Sequence, residues 1–182
     1  MLFPDIAKSN PAHDTGGKVK LALKAGITGT AEWGGKNKEY RYRLTRTWDS
    51  AKPFALFVLM NPSIADENTD DRTIAKCCRL ACAWGYGGIF VANTFAYRHT
   101  YQKRLIEEVS YLIGPDNDRH IVKMAKEAAI VVFAYGKPHA RPCERVVKNS
   151  PVSSSKRPTS ILISWTFARM ARLSIRCTSR KT

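Results

Sequence analysis

The chain has 182 residues, 44% of them hydrophobic and 25% charged, enough for one domain with a sizeable core and too few for two comfortable ones. No run of about 18 apolar residues is present, which excludes an ordinary membrane-spanning helix, and the opening "MLFPDIAKSNPAHD" lacks the pattern of a secretion signal, so a cytoplasmic protein is expected. The net charge of +15 is uneven: residues 1–138 carry 20 Lys+Arg against 14 Asp+Glu, and residues 139–182 carry 10 against 1. The excess that would point to nucleic acid therefore sits mostly at the C-terminal end.

Residues 1–25 read as a loose arm ahead of a single α/β domain over residues 26–138. "TAEWGGKNKEYRYRLTRTWD" gives two strand-like runs around Gly34-Gly35-Lys36-Asn37, which predicts an N-terminal β-hairpin. In the second run Tyr40, Tyr42 and Leu44 alternate with Arg41, Arg43 and Thr45, a period of two that puts the arginines on the solvated face. "PFALFVLM" is an apolar run bounded by proline on both sides, the pattern of a strand buried on both faces. "TIAKCCRLACAW" follows as a helix, with Asp70 or Asp71 near its N-terminus. Its Cys77, Cys78 and Cys82 match no common zinc spacing and read as core. The odd total of five cysteines does not suggest a disulfide framework.

"YGGIFVANTFA" predicts a second buried strand, and "AIVVFAYG" a third. Between them "YQKRLIEEVSYLIG" and "NDRHIVKMAKEAA" read as helices broken at Gly114-Pro115. Strand, helix, strand, helices, strand predicts a three-layer sandwich with a mostly parallel central sheet.

In such sheets ligands sit at the carboxyl ends of the strands. Those ends are Asn61-Pro62-Ser63, Asn93-Thr94 with Arg98 just beyond, and Tyr135-Gly136. Asn61 is the first candidate for catalysis, because an amide just past a buried strand is held rigidly and both donates and accepts. Asp70 and Asp71 join it from the loop. Pro62 sets the turn that presents Ser63, and Arg98 suits bidentate contact with phosphate. Asp66, Asn93 and Tyr135 complete the ligand contacts. Asp66, Asp70 and Asp71 also have the oxygen chemistry of a divalent-metal site, against the plainer reading of acids at a helix N-terminus. His99 and His120 read as surface residues, and Asn117 and Asp118 as helix caps or site residues alike.

"YRYRLTRTW", "LMNPSIADENTDDRTI", "WGYGGIFVANTFAYR" and "IGPDNDRHI" together resemble an uncharacterised bacterial and phage family, domain of unknown function 1643, over about residues 40–136. Arg72 stands where that pattern has Pro, and Tyr135 where it has Trp. The strand ends are more loosely similar to the uracil-DNA glycosylase superfamily. That similarity implies a glycosylase-like fold, with Asn61 orienting a hydrolytic water and Asn93 lining a base pocket. The implied function is action on a nucleobase, nucleotide or nucleic acid. The alternatives are a non-catalytic nucleotide or nucleic-acid binding module and a metal-assisted hydrolase using the acidic loop. No cofactor is expected.

The resemblance also implies an ending with Gly-x-x-x-His-Pro-Leu-Tyr. Here the chain ends "ARMARLSIRCTSRKT". One reading frame over, plausible codons chosen for that string spell Thr-Asn-Gly-Lys-Ala-Lys-His-Pro-Leu-Tyr. Residues 139–182 are therefore expected to be an out-of-frame basic tail, with the shift between about Gly136 and Pro151 and the final strand lost or non-native. Sequencing the gene there should reveal one inserted or deleted base that restores the block. An alternate frame without His-Pro-Leu-Tyr would refute this.

Overall fold

The computed structural model describes residues 19–98, 109–135 and 160–163. The elements run β1 (Leu21–Ala22), β2 (Thr28–Gly34), β3 (Tyr40–Thr47), β4 (Phe54–Leu59), β5 (Thr69–Asp70), α1 (Arg72–Ala83), β6 (Gly88–Asn93), α2 (Val109–Ile113), α3 (Asn117–Glu127), β7 (Ile130–Phe133) and β8 (Ser160–Ile163). Six strands form one sheet in the order β2-β3-β6-β4-β7-β8, and β1 pairs separately with β5. His99, Gly136, residues 1–18 and the expected tail apart from β8 lie outside the described residues.

The sheet is mixed, with three parallel pairings and two antiparallel ones. β4 lies between β6 and β7 and runs parallel to both. The β2–β3 hairpin adds two antiparallel pairings, because β3 docks against β6 in the opposite direction. β8 pairs parallel to β7, from Ile130 opposite Ser160 to Phe133 opposite Ile163. A strand thus occupies the side of β7 where the final strand was expected to be lost or non-native.

β4 shows why the centre holds. Ala55, Phe57 and Leu59 pack with Ile74, Cys77 and Ala81 of α1, while Leu56 and Val58 pack with Ile121 and Met124 of α3. Alternate side chains point to opposite faces, so a strand apolar at every position needs a helix on each side. Cys77 and Cys78 are core residues, and burial pushes the Cys78 thiol up to about 12, which keeps it inert. Cys82 departs from expectation, being exposed on the outer face of α1.

Both ends of α1 are written in the sequence. Asp71 Oδ1 accepts from Thr73 N at 2.8 Å and Ile74 N at 2.9 Å, an N-cap. At the other end Gly85, at φ +86°, gives its N–H to Cys82 O, and Tyr86 N–H reaches Ala81 O, both at 3.0 Å. This is a Schellman ending, and it needs the left-handed residue that glycine supplies without strain.

β3 breaks its own alternation. Arg41 pairs with Trp33 and Arg43 with Glu32, so one extra residue of β3 is fitted against β2. This bulge changes which face the later residues meet. Tyr42 stacks on His120 of α3 with ring centroids 4.9 Å apart, while Leu44 joins the α1 core. Arg41 and Arg46 are both buried, not solvated. His120 is likewise no free surface residue, since its Nδ1 lies 3.0 Å from Glu32 Oε2.

Removing the cap with Asp71→Ala should cost about 1 kcal/mol of stability. Phe57→Ala, which empties a fully buried site, should cost about 3–5 kcal/mol. Urea unfolding of both variants against the parent chain measures the difference.

Candidate functional site

The three parallel strands end level with one another. Leu59 pairs with Asn93, and Val58 with Phe133. The chain after β6 then crosses this rim. Thr94 N bonds Leu59 O at 2.8 Å, Phe95 N bonds Met60 O at 2.9 Å, and Tyr97 forms a bridge with Tyr40. Arg41 N donates to Ala96 O at 2.9 Å and Arg98 N to Glu39 O at 2.8 Å, so residues 96–98 extend the β3 pairing past the end of β6.

A buried polar chain lies behind this rim. Arg41 NH1 donates to Ala65 O at 2.9 Å, and NH2 to Asn93 Oδ1 at 3.1 Å. The Asn117 amide, at the first turn of α3, donates to Asn93 O at 3.0 Å and Thr94 O at 3.2 Å. Asn117 therefore ties α3 to the rim rather than capping its own helix. Burial is the main influence on the Arg41 guanidinium and brings it down to about 10, with Asp71 opposing and Arg98 adding to the shift. The guanidinium still carries its charge at neutral pH. Burial likewise lowers Arg98, which lies over the Trp33 ring at 4.7 Å.

The acidic loop is held from below by Arg46. Its Nε meets Asp70 Oδ1 at 2.8 Å, NH1 meets Thr45 O at 2.9 Å, and NH2 meets Asp66 O at 2.6 Å and Thr69 O at 2.9 Å. Burial pushes the Asp70 carboxyl up, and Arg46 pulls against it. Each of the other acids has its own employment. Asp66 Oδ1 accepts from Asn68 N, Thr69 N and Thr69 Oγ1, while Oδ2 faces Lys20 at 3.0 Å. Glu67 accepts from Trp33 Nε1 at 3.3 Å and lies 3.5 Å from Lys38. Asp71 caps α1. Among the described residues no three His, Cys, Asp or Glu gather as a metal site would require.

The sequence-predicted residues thus divide. Asn93 and Arg98 lie with Arg41 on the rim. Asp70 and Asp71, expected as catalytic, hold the loop and the helix. Asn61 is half-buried, with its Nδ2 giving a 3.2 Å bond to Pro62 O. Pro62 is buried and Ser63 half-buried beside it. Tyr135 packs edge-on against Phe133 with centroids 5.8 Å apart, and burial raises its phenol. Arg41 is the residue that sequence reasoning missed, and Asn117, read as cap or site residue alike, joins it. Only the bulge in β3 signals Arg41, and the Trp33–Gly34–Gly35 stretch of the partner strand gives no warning of it.

A mixed, helix-covered α/β sheet with a polar rim at the ends of its parallel strands defines the class. The family model described as "Protein of unknown function (DUF1643)" matches residues 41–165, and the chain belongs to that family. No curated protein and no solved structure matches it. No helix of the described residues is long and apolar enough to cross a membrane.

Burial opposes the Asp66 charge, but Lys20, Thr69 and Asn68 outweigh it and hold the carboxyl down at about 2. An unfolded Asp titrates near about 3.9. The loop's contribution is thus present above pH about 4 and is lost as pH falls toward about 2. Melting curves across that window should show Asp66→Asn less acid-sensitive than the parent, and equal sensitivity would contradict this account.

Proposed function

We propose that the protein acts on a nucleobase, nucleotide or nucleic acid at the rim of β4, β6 and β7, hydrolysing an N-glycosidic bond. The observation that carries this reading is the buried chain Arg41–Asn93–Asn117. A sheet does not need a charged group and two amides at the ends of its strands. Buried polar groups cost stability unless they serve structure or ligand. Asn61 stands half-exposed just beyond β4, the position that similarity to the uracil-DNA glycosylase superfamily pairs with water orientation. In that scheme Asn61 aligns the water, Asn93 faces the base, and Arg98 meets the phosphate. This is positional catalysis, which needs fixed groups more than strong acids.

A second reading, a binding module without catalysis, is favoured by the commitment of Asp70 to Arg46 and of Asp71 to the cap of α1. It leaves no free carboxylate among the loop's aspartates to act as a base. Release of free base from nucleotides and from uracil-containing single strands separates the two. Under the first reading Asn61→Ala lowers the rate by about 10²-fold with an unchanged melting temperature. Ligand binding without any base release would establish the second.

We also infer that the residues beyond Tyr135 include an out-of-frame stretch. Its support is the charge imbalance after Glu144 and the alternate-frame block that plausible codons for Ser174 to Thr178 would spell. The family match runs to residue 165, past the expected position of the shift, and so does not support a shift before Pro151.

A further inference from the structure

We propose that Arg41, Arg98 and the Asn93 amide form a subsite for the phosphoryl group of a nucleotide. The proposal deepens the functional reading above by naming the ligand chemistry, and it does not depend on catalysis.

The two guanidiniums share one face. Tyr40 is bridged to Tyr97, Arg41 bonds across to Ala96, and Arg98 bonds back to Glu39. In an antiparallel pair residues two apart lie on the same side, so Arg41 and Arg98 are diagonal neighbours. Trp33 stands opposite Arg41 on β2, and Arg98 lies over its ring. Indole, guanidinium and guanidinium therefore form one row.

Neither guanidinium has a carboxylate within ion-pair distance among the described residues, whereas Arg43 and Arg46 both do. The acids that act on them from a distance are Asp66, Asp71 and Glu67. All three are turned to other partners, namely Lys20 and Thr69, the α1 N-terminus, and Trp33 with Lys38. Two like charges side by side without a counter-ion repel each other, and an arriving anion would relieve both.

Unspent donors make the same point. Among the described residues, Arg41 Nε, Arg98 Nε and Asn93 Nδ2 are all buried without a hydrogen-bond partner. Asn93 Oδ1 already accepts from Arg41 NH2, which fixes the amide with its NH2 on the other side. Asn117 Oδ1, an acceptor, is likewise unpartnered among the described residues. Three donors left over on one rim ask for an acceptor-rich group, and phosphate oxygens match guanidinium forks in geometry and charge.

The test is binding of inorganic phosphate, and separately of a nucleoside 5′-monophosphate, to the full chain. Both are measured by calorimetry and by melting temperature against chloride at equal ionic strength. Phosphate should raise the melting temperature, and the nucleotide should bind more tightly than phosphate alone. Equal affinity for the two would overturn the nucleotide assignment. Arg98→Gln should weaken both at least tenfold. Asn93→Asp supplies the missing carboxylate to Arg41, so it should melt at or above the parent temperature while losing the phosphate response. No phosphate response in the parent, or full response in both variants, would overturn the subsite. Phosphate binding without base release would leave the subsite standing and remove only the hydrolytic reading.

Discussion

Two guanidiniums from one strand hold the acidic loop in place, and the site depends on them. Arg46 is fully enclosed and spends four bonds on Asp70, Thr45, Asp66 and Thr69. Arg41, also enclosed, reaches Ala65 O in the same loop. A buried charge is costly unless it is paired and its donors are used. Arg46 meets both conditions, and Arg41 meets neither in full. The first is a structural clamp. The second keeps its Nε without a partner at the rim proposed as the site.

The bulge in β3 makes this pairing of roles possible. Arg41 and Arg46 are five positions apart, and a regular strand would send them to opposite faces. The extra residue opposite the Glu32–Trp33 step brings both under the loop that follows β4. On the other face it leaves Arg43 to meet Glu127 at 2.8 Å and to lie over Phe90 at 4.4 Å. One local irregularity thus gives three arginines three different surroundings: the acidic loop for Arg46, the strand-end rim for Arg41 and α3 for Arg43.

The parts of the fold that alternate or run apolar were legible from residues alone. β4, β6 and β7 follow from continuous apolar runs, α1 from its spacing and cap, and the hairpin from its glycines. The sequence also pointed to the strand ends, where Asn93 and Thr94 are buried. The direction of β3 against β6 was not legible, because alternation carries no information about which neighbour a strand chooses. Arg41 was missed for a related reason. Period-two reasoning assumes an unbroken phase, and nothing in "EYRYRLTRTW" marks the bulged residue. Asn117 read as a cap or a site residue alike, because its sequence position is that of a helix start. Only the approach of α3 to the end of β6 turns its amide toward Asn93.

The acid-rich loop in a basic chain has a physical explanation at this scale. Its carboxylates do not gather toward one ligand, since each is matched to a nearby cation or a helix end. What they do together is lower the field around the rim. Asp66 and Glu67 stabilise the Arg98 charge from a distance, and Asp71 does the same for Arg41, while none of them occupies the guanidinium forks. A fork directly paired with a carboxylate would have to give up that partner before taking another anion. Stabilised at a distance, Arg41 keeps its charge despite burial, and the Nε atoms of Arg41 and Arg98 stay without a partner. The loop's acids therefore hold the rim arginines charged without blocking them, an arrangement that direct salt bridges would defeat.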